Sequence, residues 1–500
     1  MTSSKDPIKV YDARWEVDEF NDQEVQRLFE ASLGYAQMLG IDTLVMARDA
    51  RLGCARVLEI GIKTAFESGF RIFVCYDPIS TPMSYFATMQ TSVHYPNTMG
   101  LTITASHNPK QYVGIKYTVP TVEAIGYDCG PLGGLKKVKE LYHQSDFKLN
   151  KSAGGSLTIL ENPVDEYINY TFQLASINEG SLKGLSIILD TFNGSAGPEL
   201  YRALTLAGVK ATAHRLAPNG EFPTGSPNPT SQHKMDHAIN LAKQHNADLI
   251  IGIDGDGDRI VFGDQKGVFS AGFVMIPILR SITSGNATVS KVLYDPKVNP
   301  LALLKWAEAN ADPVLFRNGH SQIKAFMKQT NALAGAEESG HFYHQLPLEK
   351  MLVSGENSLY TILLFLKSVC QDKNCINDIR VMQDQIFTSG EFNFEFANDD
   401  IRDKAMNAAL KLFKDDQAEL TTHSQNGDDL EGTVIYKGIS KQSARISIDD
   451  NWYAAYVRTA TNEKGVVRSY ISSSDEQTGK ELQKRIINLL QTDFEGKEIE

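Results

Sequence analysis

Leu249-Ile250-Ile251-Gly252-Ile253-Asp254-Gly255-Asp256-Gly257-Asp258-Arg259-Ile260-Val261-Phe262 places two short apolar runs on either side of a loop rich in acid. The runs are short and do not alternate with polar residues, so they read as strands buried on both faces, as in sheets covered by helices. Asp254, Asp256 and Asp258 crowd their carboxylates into the loop between them. Like charges this close repel unless a cation lies among them. A hard divalent ion that prefers oxygen ligands, Mg²⁺ or Ca²⁺, meets that need. Gly255 and Gly257 let the backbone curl until alternate side chains converge on one point. An EF-hand also begins D-x-D-x-D, but it needs glycine at loop position six and glutamate at twelve. Here those positions hold Arg259 and Gln265. A solvated acidic turn is the plain competitor, and the buried character of the flanking runs argues against it.

Outward from this loop, strand and helix patterns alternate. From Asn21 to Leu39 the apolar residues Val25, Leu28, Phe29, Tyr35, Ala36 and Leu39 trace a helical stripe, with Gly40 as a stop. Leu44-Val45-Met46 reads as a buried strand, Val57 to Phe66 as a helix and Arg71 to Cys75 as a strand. Leu185 to Leu189 is a strand, Asn193 to Gly197 a glycine-rich turn, and Pro198 opens a helix. Val292 to Tyr294 is a strand, Pro300 to Asn310 a helix and Pro313 to Phe316 a strand. Such alternation predicts a mostly parallel sheet with helices on its faces. Beyond about residue 375 strands follow one another: Phe387 to Phe396, Gly432 to Tyr436, Ala444 to Ile448 and Trp452 to Val457. Helices are predicted at Ile401 to Phe413 and Glu476 to Leu490, and the end from Glu495 to Glu500 as a frayed tail. The fold class is therefore α/β with a separate C-terminal α+β domain. The expected divisions are 1–150, 151–268, 269–375 and 376–500.

A second informative segment is Thr104-Ala105-Ser106-His107-Asn108-Pro109, just after the apolar Leu101-Thr102-Ile103. Serine is a poor nucleophile unless its neighbours supply acid, base or charge. Asn108-Pro109 favours a turn that presents the hydroxyl, and His107 adds an ionisable neighbour. Spacing alone also fits an ordinary surface turn.

Taken together, the T-A-S-H-N-P serine loop and the D-G-D-G-D-R loop, in this order and roughly 150 residues apart, resemble the α-D-phosphohexomutases. That family interconverts sugar 1-phosphates and 6-phosphates. Two further stretches match in order. Gly335-Ala336-Glu337-Glu338-Ser339-Gly340-His341 is similar to the family's sugar-binding loop, and Arg458-Thr459-Ala460-Thr461-Asn462-Glu463, ending at Arg468, to its phosphate-binding loop. The resemblance implies three consecutive α/β domains and the C-terminal domain around a central cleft.

It also implies roles. Ser106 would carry the phosphoryl group as phosphoserine. Asp254, Asp256 and Asp258 would hold Mg²⁺, with a phosphate oxygen on Ser106 as a further ligand. Arg259 and Lys116 are candidates to balance the charge, and Arg14, in Tyr11-Asp12-Ala13-Arg14, to support the serine loop. His320, in Asn318-Gly319-His320, and Lys297, in Tyr294-Asp295-Pro296-Lys297, are alternative proton acceptors. Glu337, Ser339 and His341 would read the sugar hydroxyls, and Arg458, Thr459, Thr461, Asn462 and Arg468 the distal phosphate. A hexose 1,6-bisphosphate is the implied intermediate and activator. The chain departs from the family pattern at Trp15, Val113, Ala336, Ala460 and Lys464, which bears on sugar identity and phosphate-loop geometry.

Bulk properties are compatible. Five hundred residues are too many for one core. A formal charge of −12 disfavours nucleic-acid or anionic-membrane partners. Five scattered cysteines without a C-x-x-C pair fit reduced thiols, and with no apolar leader or long apolar run a cytoplasmic location is expected. The expected partner is a small phosphosugar, and the expected state a monomer or small homo-oligomer. Mannose and glucose phosphates are favoured and glucosamine phosphate is the alternative. A metal-dependent sugar phosphatase and a non-catalytic sugar-phosphate sensor are the rivals from other classes.

Overall fold

The computed structural model describes residues 6–151, 154–161, 163–284, 288–442, 445–460 and 464–499. It divides into two compact units. The first comprises Met1–Val268, Gly319–Asn331 and Ser339–Cys370, and the second Phe269–Asn318, Ala332–Glu338 and Gln371–Glu500.

In the first unit, a seven-stranded sheet runs Ala13–Glu16, Tyr112–Val119, Thr98–Ile103, Thr43–Arg48, Arg71–Val74, Ser156–Ile159, with Glu123–Ala124 added on Tyr112–Val119. Thr43–Arg48 lies parallel to both Thr98–Ile103 and Arg71–Val74. The helix Asp22–Met38 begins at Asn21, whose side chain accepts from the amides of Gln23 and Glu24. It buries Val25, Leu28 and Phe29 in one core with Leu44, Met46, Leu101 and Ile115. Thr98–Ile103 is buried along its whole length, and the hydroxyls of its Thr98 and Thr102 are hydrogen-bonded there. A second sheet orders Gly267–Val268, Ile260–Asp264, Leu249–Ile253, Ser186–Asp190 and Lys210–His214. Leu249–Ile253 and Ile260–Asp264 pair antiparallel, so the acidic loop is the turn between two buried strands, as its sequence predicts.

In the second unit, Ala311–Leu315, Ser290–Tyr294 and Ala334–Ala336 pair parallel. The C-terminal six-stranded sheet is antiparallel throughout, ordered Glu419–His423, Asp429–Gln442, Arg445–Thr459, Val466–Ser473, Phe387–Glu395, Lys497–Ile499. Helices Asp399–Asp415 and Glu476–Thr492 bury Ala405, Ala409, Phe413, Ile486 and Leu490 in its core. The fold class stands as expected, with two local corrections. The two strands predicted within 444–457 are one, Arg445–Thr459, while Ala444 lies outside the described residues. Its polar Asp449-Asp450-Asn451 suggests a turn, but an irregularity in the partner strand at Gly438, with φ +67°, absorbs the mismatch. The C-terminal end is not frayed: Lys497–Ile499 pairs with Asn393–Glu395 and covers a strand edge that would otherwise be open. Among the described residues no helix is long and apolar enough to cross a membrane.

Candidate active site

Ser106 lies in the connection between the strands Thr98–Ile103 and Tyr112–Val119. Its φ is +51°, the left-handed region that a residue with a Cβ enters at a cost of about 1–3 kcal/mol. The bend turns its hydroxyl to Asp254, Oγ to Oδ2 3.0 Å, and to His107, Oγ to Nδ1 3.3 Å. A close approach of the two loops makes this possible. A Cβ on Gly255 would sit 2.6 Å from the Ser106 carbonyl oxygen, so only glycine fits. His107 is held well below its usual pKa by burial and by Arg259 and Arg14. Arg14 donates to Asn108 Oδ1 at 2.7 Å and pairs with Asp12.

The three aspartates are buried, and ligand atoms of all three lie within 4.8 Å of one another. Asp254 Oδ1 accepts the amides of Gly257 and Arg259 at 3.0 and 3.1 Å, which closes the loop on itself. Gly257 sits at φ +79° to allow that closure. Lys116 Nζ donates to Asp256 Oδ2 at 2.6 Å and Asp258 Oδ2 at 2.5 Å. Burial works to discharge Lys116, but Asp256 and Asp258 outweigh it and keep it protonated. Burial, then Asp256 and Asp258, push Asp254 well up. Asp258 goes down, since Lys116 and Arg259 outweigh its burial. Asp254 is thus the carboxyl whose charge is least tolerated here, and a further cation in the loop would relieve it. The second oxygens of Asp256 and Asp258 are buried with no hydrogen-bond partner among the described residues. Bare carboxylate oxygens beside Asp254 and the Ser106 hydroxyl form an all-oxygen donor set that fits a hard divalent cation.

The helix Thr81–His94 grips the same loop, which the sequence did not reveal. The Thr81 amide donates to the Asp256 carbonyl at 2.8 Å and its hydroxyl to Asp256 Oδ2 at 2.6 Å. A helix N-terminus favours a carboxylate placed there. Ser80, the N-cap, donates in turn to buried Glu199 at 2.5 Å.

Arg259 ties the acidic loop to the Ser339-Gly340-His341 segment by donating from Nε to His341 Nε2 at 3.0 Å. That bond leaves the imidazole proton on Nδ1, 3.7 Å from Glu356 Oε1 and 3.8 Å from Asp258 Oδ1. Burial, Arg259 and Lys116 hold His341 well below its usual range. Glu356 is itself paired with buried Lys324 at 2.9 Å. His320 is half-buried, its ring centroid 6.3 Å from that of Tyr11, and its two ring nitrogens are buried with no hydrogen-bond partner among the described residues. Burial, Lys324 and Lys116 keep it neutral. His107, Lys116, Arg14, Arg259, His320 and His341 thus join Ser106 and the three aspartates in one unit.

The remaining predicted residues belong to the second unit, apart from Ser339, which belongs to the first. Glu337 is buried. Glu338 turns away to cap the helix Ala271–Thr283, accepting from Ser270 Oγ at 2.6 Å and the Gly272 amide at 3.0 Å. Burial pushes it up to about 7. Arg458 and Arg468 stand opposite each other on paired strands. Like charges so placed need an anion, and Glu391 accepts from Arg468 at 2.8 Å and faces Lys297 at 3.4 Å. Burial works to raise Glu391, but Lys297, Arg458 and Arg468 hold it at about 2. Thr459 ends the strand Arg445–Thr459, while Thr461 and Asn462 lie outside the described residues. Two departures from the family pattern prove to be one. Trp15 and Val113 are cross-strand partners, both buried, so an apolar pair fills that site.

Comparison with known proteins bears on the family and the fold. Family models match for phosphoglucomutase/phosphomannomutase alpha/beta/alpha domains I, II and III at residues 6–126, 165–267 and 274–383. The chain belongs to the phosphoglucomutase/phosphomannomutase family, and so is an isomerase of the phosphotransferase kind. It is 28% identical over 399 residues to the phosphomannomutase of Escherichia coli K12, covering 78% of this chain and 83% of that one. A Burkholderia thailandensis phosphoglucomutase/phosphomannomutase family protein shares the fold, with TM-score 0.79, 20% identity, and 97% and 96% of the two chains covered. An Aspergillus fumigatus N-acetylphosphoglucosamine mutase solved with glucose 1,6-bisphosphate superposes with TM-score 0.56, 11% identity, and 99% and 97% covered.

Proposed function

We propose that the chain interconverts hexose 1-phosphates and 6-phosphates, of mannose, glucose or both, with Ser106 as the phosphoryl carrier. The observation that carries this reading is the Ser106 hydroxyl 3.0 Å from Asp254, beside two buried carboxylate oxygens with no hydrogen-bond partner among the described residues. Asp254, Asp256 and Asp258 would hold Mg²⁺, with Ser106 as a further ligand. When bound, that ion polarises the phosphoryl oxygens and offsets their charge.

Phosphoryl transfer asks for positioning and charge neutralisation more than covalent help. Phosphoserine 106 gives its phosphoryl group to the free sugar hydroxyl, the Oγ–P bond breaking as the sugar O–P bond forms. The resulting 1,6-bisphosphate turns over and returns its other phosphate to Ser106. His320 takes the sugar's proton in the first transfer and gives it back in the second: a neutral imidazole whose nitrogens have no hydrogen-bond partner among the described residues is suited to both. Lys297, paired with Glu391, serves charge balance instead. Lys116 keeps Asp256 and Asp258 apart from each other's charge and orients them. Arg259 fixes His341, which together with Glu337 and Ser339 reads the sugar hydroxyls. Arg458 and Arg468, with Thr459, Thr461 and Asn462, take the distal phosphate.

Phosphorus NMR tests this directly. Purified protein with Mg²⁺ and a trace of glucose 1,6-bisphosphate is offered glucose, mannose and glucosamine 1-phosphates separately. A 6-phosphate resonance from glucose or mannose is expected. One from glucosamine alone would move the assignment to that sugar. Growth of inorganic phosphate alone would mean a phosphatase, and no change with all three would leave a sensor.

A further inference from the structure

Arg51 is 1% exposed and each of its five N–H groups has an acceptor. Nε meets Asp49 Oδ2 at 3.1 Å. The other four reach the backbone of the serine loop: the carbonyls of Ser106 and Asn108 at 2.5 and 2.6 Å, and those of Pro109 and Tyr112 at 2.7 and 3.3 Å. The network returns to the serine itself. Asp49 Oδ2 accepts the Thr104 hydroxyl at 2.7 Å, and Thr104 Oγ1 accepts the Ser106 amide at 2.9 Å. Ser106 is thus held through both its N–H and its C=O by one buried group and its counter-ion, at the residue whose φ is +51°.

We propose that Arg51 is a positioning residue for the phosphoryl carrier. Its planar fork draws four carbonyls to one point behind the loop and so imposes the left-handed bend that turns Ser106 Oγ toward Asp254. A strained backbone persists only where its surroundings over-determine it, and five charge-assisted bonds, four of them to the loop, do so. The four carbonyl dipoles are also kept occupied, so none turns its negative end toward an anionic substrate. Lysine cannot replace this device, because three donors on a point charge do not span four carbonyls. The proposal rests on Ser106 being the carrier.

The test compares Arg51→Lys, Thr104→Val and Ser106→Ala in the full chain with Mg²⁺. It reads kcat and KM for glucose 1-phosphate, melting temperature, and the rate at which glucose 1,6-bisphosphate phosphorylates the protein by intact mass. Arg51→Lys is expected to lose about 100-fold in kcat, as for a misplacement of about 1 Å, with KM within about threefold and slower phosphorylation. Thr104→Val, near-isosteric and expected to fold, should lose about tenfold in kcat with the same KM. Wild-type kcat in folded Arg51→Lys overturns the proposal. Should Arg51→Lys not fold, wild-type kcat and phosphorylation in Thr104→Val overturn it, and a selective loss of both supports it. A loss that only tracks the unfolded fraction, or falls on KM alone, also overturns it. An active Ser106→Ala overturns the carrier reading instead, whatever the other variants do.

Discussion

Lys116 and Asp256 form a buried ion pair, Nζ to Oδ2 2.6 Å, and the same ammonium reaches Asp258 at 2.5 Å. The lysine belongs to the strand Tyr112–Val119 of one sheet and the aspartates to the turn of another, so one cation ties the serine segment to the acidic loop. Removing one partner of a buried pair leaves an uncompensated charge. Lys116→Met is expected to destabilise the metal-free protein by about 3–5 kcal/mol. Added Mg²⁺ should then raise its melting temperature more than that of the wild type, because the dication takes over the neutralisation. Equal shifts in the two proteins would separate Lys116 from the metal centre.

Asp256→Asn keeps the shape of the loop and the Thr81 contact but removes one of the two bare oxygens offered to the ion. Calorimetry should show Mg²⁺ binding much weakened and turnover largely lost. An unchanged metal titration would take this loop out of the site.

His320→Gln should lower kcat by about 10²–10⁴ with little effect on KM, the range for loss of a general acid–base group. Lys297→Met serves as the comparison. If it lost kcat while His320→Gln kept it, the proton-transfer assignment would pass to the lysine.

Glu199 supplies a pH test away from the reacting atoms. Burial pushes its carboxyl from the ordinary 4.5 up to about 8. Between those values the native state keeps a proton that the unfolded chain has released, so stability falls as pH rises through this window. Glu199→Gln carries no such proton and can still accept from Ser80. Its melting temperature relative to wild type should climb from pH 5 to pH 8, by the equivalent of a few kcal/mol at most. A constant difference would mean that Glu199 is ionised in the fold.

The alternation of helices and strands was legible because a strand covered on both faces, such as Leu249–Ile253, is apolar without a break. The acidic loop was legible because three close carboxylates need a cation wherever they fold. Arg51 was not, since four of its five partners are carbonyls, which every residue carries. Its one outward sign is a charged pair, Asp49 and Arg51, just past the end of a buried parallel strand, where α/β sheets gather their functional residues. Arg259 and His341 are 82 residues apart, and nothing local announces their bond. The strand at the C-terminal end was missed for a related reason: an edge is closed by backbone hydrogen bonds, whatever the side chains.

The carrier role of Ser106 is the centre of this account, and intact-mass analysis with peptide mapping tests it most directly. Protein treated with glucose 1,6-bisphosphate and Mg²⁺ should gain a single phosphoryl group on Ser106, lose it on addition of hexose monophosphate, and gain none as Ser106→Ala. Turnover without any phosphate on Ser106, or with the phosphate on another residue, would contradict it.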